Sequence, residues 1–283
     1  MILRTFRIEF SNMLKQRRVQ ITLLILFTLI GLNYVDNVLM FRGSDAINMY
    51  HPMMLLLLSY GRGNNISADM ILFFIQLYPL LVSLPAGTVL TKEQQMGINV
   101  LTESRIGTRQ YVMGKLLAVF TVTGLVFTIP FLCEICLNCL AFPLNAEGMF
   151  VDLSAYDAAY LESVRNYLMP KIFELSPYLY AVCHTVLFGF LSGLLGAFAA
   201  SVSSLIRFKY QILCLLPTYL LLQGGEYLRA SVGRDFDKAR WYNYFLLFSD
   251  FQKSEAAFIT IVAAFSIMII IFAYQVSRKD CLS

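Results

Sequence analysis

Six long apolar runs determine what this chain can fold into. A helix needs about 20 apolar residues to cross the hydrocarbon core of a bilayer, and each run supplies about that many. Only 14% of the 283 residues are charged, against about a quarter in soluble proteins. The pattern predicts an all-α integral membrane protein with six transmembrane helices in a single domain, residues 1–283. The runs cover residues 19–40, 68–90, 111–141, 177–206, 210–228 and 255–276.

Residues 1–18 are amphipathic and differ from the apolar runs. Large apolar side chains recur there at intervals of three and four residues, with basic residues between them. A helix of this kind lies in the headgroup layer of a membrane with its apolar face buried. We therefore expect an interfacial helix in this segment. Its apolar positions are Leu3, Phe6, Phe10, Met13 and Leu14.

Basic residues predict the orientation of the chain. If the six runs alternate in direction, the segments on the side of the N-terminus hold most of the Lys and Arg. An excess of these residues marks the cytoplasmic side, so both termini are expected in the cytoplasm and the protein in the cell membrane.

Residues 53–58 are apolar but too short to cross, and are expected to pack beneath the outer surface. The net charge of +4 is too scattered to predict nucleic-acid binding.

A polar, charge-mixed stretch separates the second and third runs. It reads TKEQQMGINVLTESRIGTRQYVMGK over residues 91–115 and is longer than a tight turn needs. Ile98, Leu101 and Arg105 recur at helical spacing, which favours a short helix with a contact face. An ordinary solvated loop fits the same chemistry equally well. The candidate hinges are Gly97 and Gly107.

A pattern of single residues runs along this stretch and into the third run. They are Glu93, Gly97, Leu101, the pair Thr108-Arg109 and the pair Gly114-Lys115. This pattern, together with the order of the runs, resembles the cytoplasmic loop of ABC-2 type transporter permeases. The resemblance implies a coupling helix between spans two and three, in residues 91–110, that docks on a separate ATP-binding subunit. The contact residues that it implies are Glu93, Gly97, Leu101, Arg105, Arg109 and Lys115.

The same resemblance implies how the chain works. Residues 1–18 would form the elbow helix of the family, and two permease chains, identical or related, would enclose one export path. ATP and Mg²⁺ would bind to the cytoplasmic ATPase subunit, so this chain would bind no cofactor and would not be an enzyme. The residues agree on this point, because Leu116 follows Gly114-Lys115 where a phosphate-binding loop needs Ser or Thr.

Four polar residues within or near the runs are candidates for lining a path or joining helices. A polar group in a bilayer usually faces the bundle interior or water, because exposing it to lipid is costly. Glu134 and Glu226 lie toward the outer ends of their runs, and for them a structural and a functional role are equally open. His184 lies deeper and is expected to make a helix-to-helix hydrogen bond. The full set is Gln76, Glu134, His184 and Glu226.

Two further patterns are interpreted as packing. Cys133, Cys136 and Cys139 recur at every third residue, but acidic and histidine partners for a metal are scarce, so no metal site is predicted. Small residues four apart in the fourth run favour a close helix-to-helix approach inside the bundle over a dimer seam or a path wall. They are Gly189, Gly193 and Ala197 on one row, and Ser192, Gly196, Ala200 and Ser204 on another.

Three functions therefore stay open, and a transport permease is favoured. The first alternative is a membrane subunit that does not transport and instead confers immunity or regulation. The second is an intramembrane enzyme, which is less favoured because His51 and His184 lie in no recognisable catalytic motif.

Overall fold

The computed structural model is all-helical, as predicted, with 84% helix and no strands in the part of the chain that it describes. Three short 3-10 helices, at Pro52–Leu55, Gln211–Leu215 and Trp241–Tyr244, accompany the α-helices there. The described residues are 2–44, 49–59, 65–85, 89, 106–144, 166–206, 210–232, 240–248 and 253–278, without the side chains of 65–69 and 228–232. The α-helices are α1 (Ile2–Leu14), α2 (Arg17–Met40), α3 (Asn65–Ser83), α4 (Thr108–Ala141), α5 (Pro170–Leu175), α6 (Pro177–Leu205), α7 (Leu216–Val232) and α8 (Glu255–Arg278).

Four of the described helices are long and apolar enough to cross a membrane, namely α2, α4, α6 and α8. They coincide with the first, third, fourth and sixth apolar runs to within three residues at each end. The expectation of an all-helical chain with membrane-spanning helices is confirmed. The expected count of six spans stays a prediction, because among the described residues α3 and α7 do not reach the length and apolar character of these four.

Prolines explain why α3 and α7 are short. The second run extends to residue 90, but α3 ends at Ser83, just before Leu84-Pro85. A residue that precedes proline is disfavoured in helical conformation, so the helix stops there. The fifth run begins at residue 210, yet residues 211–215 form a 3-10 helix and α7 starts at Leu216. Pro217 has no N–H to donate to the preceding turn, and it is therefore favoured in the first turn of an α-helix, where that N–H would have no partner.

Helices α4 and α6 form the centre of the bundle and approach each other closely through glycine. A Cβ atom placed on Gly193 would lie 2.6 Å from the carbonyl oxygen of Phe120, and one on Gly196 would lie 2.8 Å from Thr123 Oγ1. Most of α6 is buried, including the predicted row of small residues. The prediction that these residues pack helices together inside the bundle is confirmed.

Aromatic side chains fill the space between α3, α4 and α6. Phe74 and Tyr78 of α3 contact Phe188 of α6, with ring centres 6.3 and 5.6 Å apart. Phe127 and Phe131 of α4 pack on the same Phe188 ring at 5.8 and 5.2 Å. Offset and edge-to-face ring pairs at these separations add about 0.5–1.5 kcal/mol each to the burial of apolar area. The centre of the bundle is thus a packed core.

Two segments that are mostly not α-helical close one end of the bundle, residues 51–59 and residues 240–248. Residues 51–58 are buried in full, and the backbone N–H of Leu247 donates to the carbonyl oxygen of Leu58 at 2.9 Å. Tyr180, near the start of α6, donates its hydroxyl to the carbonyl oxygen of Leu247 at 3.0 Å. The predicted short apolar stretch 53–58 therefore lies inside the bundle, beneath its surface.

Helices α1 and α8 lie at the periphery. α1 packs on the first half of α4, where a Cβ atom on Gly114 would lie 2.9 Å from Thr5 Cβ. The opposite side of α1 exposes apolar side chains, including Leu3 and Ile8. α8 packs mainly on α6, and most of its surface is exposed. Both helices present apolar surface that suits a lipid environment.

Candidate functional site

The loop that resembles a coupling loop is described only at its end. The predicted contact residues Glu93, Gly97, Leu101 and Arg105 lie outside the described residues. Gly107 has a φ of 89° and a conformation that glycine adopts without strain, directly before the first turn of α4. Arg109, in that first turn, is exposed. The chain thus enters α4 through a glycine turn with an accessible basic side chain beside it.

Lys115 is the last of the predicted contact residues, and it is completely buried. Its ammonium group donates to the hydroxyl of Tyr111 at 2.9 Å and lies 4.8 Å from the centre of that ring. Glu9 of α1 places Oε1 4.0 Å from the same nitrogen. A buried cation requires a partner of opposite charge, and Glu9 supplies it. Lys115 therefore joins α4 to α1 in this structure, and its contact with a partner subunit stays a prediction.

Gln76 lies on the outward side of α3. The neighbouring outward side chains are apolar: Leu72 is 47% exposed and Phe73 is 54% exposed. α3 packs against both α2 and α7, which correspond to the first and fifth apolar runs. The structure thus brings α2, α3 and α7 together, with the amide of Gln76 exposed on the middle helix.

Glu134 lies near the end of α4 and holds the buried segment 51–59. Its Oε1 accepts a hydrogen bond from Leu57 N at 2.7 Å and another from Asn33 Nδ2 of α2 at 2.9 Å. The side chain is 1% exposed. A carboxyl group enclosed in this way is costly in a membrane unless its oxygens are satisfied. Glu134 therefore lies in a built polar network within the bundle.

Three asparagines complete this network, and sequence reasoning missed them. Asn33 and Asn37 of α2 both donate to the carbonyl oxygen of Leu55, at 3.0 and 2.8 Å. Asn138 of α4 donates to the carbonyl oxygen of Pro52 at 3.4 Å. All three are buried. The available signal was the pair of asparagines four residues apart in an apolar run, which places two amides on one helix face.

His184 is buried on α6, with its ring centre 5.8 Å from that of Tyr180. The expected helix-to-helix hydrogen bond is not seen, because neither ring nitrogen has a partner among the described residues. Lys253 acts on the ring electrostatically and donates to the carbonyl oxygens of Leu246 and Leu247. Burial lowers the pKa of Lys253 to about 7, since its charged form loses hydration.

The remaining predicted side chains lie apart from this network. Glu226 is half-buried on α7, while Cys133 and Cys136 are exposed on α4. In the described ranges, no three His, Cys, Asp or Glu side chains come close enough together to hold a metal ion. The four candidate polar residues therefore occupy different surroundings: Gln76 faces outward, Glu134 and His184 are enclosed, and Glu226 lies between these extremes.

No protein-family model matches this chain, and neither a curated protein nor a solved structure is detectably similar to it. The geometry of the chain itself therefore provides the basis for a function. The relevant features are the exposed start of α4, the outward face of α3 and the Glu134 network.

Proposed function

We propose that this chain is the transmembrane permease subunit of an ATP-driven exporter and works as a pair of permease chains with a separate cytoplasmic ATPase. One observation carries the proposal: the bundle interior is filled, while the polar Gln76 lies on the outward face of α3. A path for a solute would then run along the outside of this bundle. A second permease chain, identical or related, is needed to enclose it.

The packed interior supports the pairing. Between α3, α4 and α6, Tyr78 has its ring centre 5.5 Å from Phe127 and 4.7 Å from Phe245. The hydroxyl of Tyr78 is also within 3.0 Å of Ser192 Oγ of α6. Rings at these separations leave no room for a solute among them, and protein interiors resist opening such gaps. Export through the middle of one chain would require the core to come apart.

The outward face of α3 supports the position of the path. An amide that faces lipid has no hydrogen-bond partner there, and polar side chains in membranes usually turn toward a bundle or water. Among the residues that the structure describes, Gln76 stays exposed and does not turn into the bundle. Covering it with the same face of a second chain would give each amide a partner or an aqueous path. α2 and α7, which flank α3, would line the remaining walls.

The start of α4 supports coupling to an ATPase. Residues 91–110 lead through Gly107 directly into the helix that is packed most closely at the bundle centre. Arg109 is exposed there and is suited to a charged contact with a partner subunit. ATP and Mg²⁺ are assigned to that subunit, and this chain is assigned no cofactor and no catalytic role.

The coupling assignment is tested by two loop variants and one control. Leu101→Asp and Glu93→Lys should leave the protein in the membrane but abolish pull-down of the ATPase and substrate-stimulated ATP hydrolysis. Leu144→Asp is the matched control, because Leu144 is exposed beyond the other end of α4. It should leave both readouts unchanged. Wild-type values for both loop variants would refute the coupling role.

The pairing is tested by cross-linking and by mass. A cysteine at Gln76, in a chain without its native cysteines, should form a disulfide between two copies in membranes if the permeases are identical. A cysteine at Ile267 of α8, which is 57% exposed, is the control and should not. Native mass spectrometry of the complex purified through this chain should show two permease chains and two ATPase domains. A complex with one permease chain and full transport activity would overturn the proposal.

The same experiments distinguish a permease from the main alternative function. A membrane subunit that confers immunity or regulation would keep its function when ATPase pull-down is lost. A permease would not.

A further inference from the structure

Two enclosed oxygen atoms on α4 have no hydrogen-bond donor among the described residues. They are Oε2 of Glu134 and Oδ1 of Asn138. Both side chains are completely buried, at 1% and 0% exposed. Side chains four residues apart on a helix are neighbours, about 5–6 Å between Cβ atoms. A buried acceptor without a donor is costly, so two of them about one turn apart on the same helix point to something held between them.

The other polar atoms of the two side chains are already engaged. Glu134 Oε1 accepts from Leu57 N and Asn33 Nδ2, at 2.7 and 2.9 Å. Asn138 Nδ2 donates to the carbonyl oxygen of Pro52 at 3.4 Å. Turning the Asn138 amide over would place its oxygen against that carbonyl oxygen, so the observed orientation is the one its partner favours. The two unsatisfied oxygens are therefore both acceptors, and what lies between them must supply a donor or a positive charge.

The charged and titratable groups on the surrounding elements do not neutralise Glu134. Asp36 of α2 is acidic, and His51 begins the buried segment with a pKa that burial lowers to about 4, so that its ring is neutral at pH 7. His184 lies on α6, and Lys253, beyond residues 240–248, is bonded to the carbonyl oxygens of Leu246 and Leu247. Within the described residues Glu134 makes no ion pair.

We propose that Glu134 and Asn138 form a proton-binding site, in which Glu134 Oε2 carries a proton and donates it to Asn138 Oδ1. One proton then satisfies both oxygens and removes the negative charge from the membrane interior. A proton needs only these two oxygens. Ca²⁺ takes six to eight oxygen ligands, and the described ranges contain no group of three acidic, His or Cys side chains.

The proposed proton holds one end of the bundle closed. The neutral carboxyl group, with Asn33, Asn37 and Asn138, fixes residues 51–59 against α2 and α4. Loss of the proton leaves an enclosed charge without a cation, so the segment must move until water reaches it. The site thus links protonation to the position of this segment, and it does not depend on whether the chain is a permease.

Infrared spectroscopy of the full chain in lipid nanodiscs tests the proposal directly. At pH 7 the wild type minus Glu134→Gln difference spectrum should contain the C=O stretch of a protonated carboxyl group, shifted in D₂O. Glu226→Gln is the matched control at a half-buried position. This variant should keep the acid band, so the wild type minus Glu226→Gln difference spectrum should lack it. A carboxylate band in the difference spectrum, in place of the acid band, would overturn the proposal.

A second variant keeps the test decisive if Glu134→Gln does not fold. Asn138→Leu removes only the acceptor, so the acid band should persist but move in frequency because its O–H has lost its partner. An unchanged band position would show that the proton is not donated to Asn138 and would refute the site. The spectra are repeated with choline in place of Na⁺. If adding Na⁺ then converts the acid band to a carboxylate band, the site binds a metal ion and not a proton.

Discussion

Replacing Gly193 with alanine should force the two central helices apart. A Cβ atom at this position would lie 2.6 Å from the carbonyl oxygen of Phe120 and 3.0 Å from an atom of its ring. Real Cβ atoms do not approach an oxygen so closely, and a backbone carbonyl cannot rotate away as a side chain can. α6 must therefore move away from α4, which also loosens the close approach at Gly196.

The cost of overpacking at Gly193 can be isolated with a matched control. Alanine gains about 1 kcal/mol over glycine within a helix, while overpacking costs about 1–3 kcal/mol. Gly31→Ala in α2 receives the same helical gain, because nothing lies within 4 Å of a Cβ atom there. The difference in unfolding free energy between the two variants is then the overpacking cost alone. At about 2–4 °C for each kcal/mol, the Gly193 variant should melt about 2–12 °C below the Gly31 variant.

Thermal unfolding of the purified chain in detergent, followed by intrinsic fluorescence, measures this difference. Gly189→Ala provides an internal check, because its Cβ atom would lie 1.7 Å from Thr128 Oγ1, an atom of a side chain. Adding Thr128→Ala removes that atom and should recover part of the lost melting temperature, while the carbonyl oxygen of Gly124, at 3.0 Å, stays close. No such rescue is available at Gly193. Equal melting temperatures for Gly193→Ala and Gly31→Ala would refute the close packing of α4 and α6.

Three further predictions test other parts of the molecule. Glu9→Ala should lower the melting temperature more than Glu9→Ala combined with Lys115→Met, since the single variant removes the carboxylate that faces a buried cation, at a cost of about 1–3 kcal/mol. Burial lowers the pKa of His51 from 6.5 to about 4. The stability that its neutral ring contributes is therefore present above pH 6.5 and lost as the pH falls toward 4. Melting temperatures of His51→Asn should not show this loss over the same pH range. In intact cells, an impermeant thiol reagent should label a cysteine at Asp237 but not one at Gln94, and labelling at Gln94 would reverse the orientation.

Hydropathy predicted the long spans because burial in lipid imposes a strong and local demand on sequence. α2, α4, α6 and α8 each follow an apolar run almost end to end. The small residues of α6 were equally informative, since close packing requires them at fixed spacing. Hydropathy does not register where a proline interrupts the backbone hydrogen bonds, and for this reason α3 ends before its apolar run does and α7 begins after its run has begun.

The polar network could not be predicted in the same way. Glu134 was identified as a candidate, but its partners are Asn33 of α2 and the backbone of Leu57, far away in sequence. The spacing of Asn33 and Asn37 places two amides on one face of α2, but it does not identify the groups to which they bond. The burial of Lys115 could not be predicted for the same reason. Its surroundings depend on Glu9 of α1, and only the packing of α1 on α4 brings the two residues together.

The burial of Lys115 changes how a loop movement would reach the bundle. Arg109 is exposed at the start of α4, whereas six residues later the chain is fixed to α1 through Lys115 and through the contact of Gly114 with Thr5. A force applied at residues 91–107 therefore acts on α1 and α4 together, because the buried ion pair and the close backbone approach resist their separation. α4 in turn cannot shift without α6, to which its glycines are packed. If an ATPase moves this loop, we expect the assembly of α1, α4 and α6 to respond first. The path that we propose between two chains would then lie on the side formed by α2, α3 and α7.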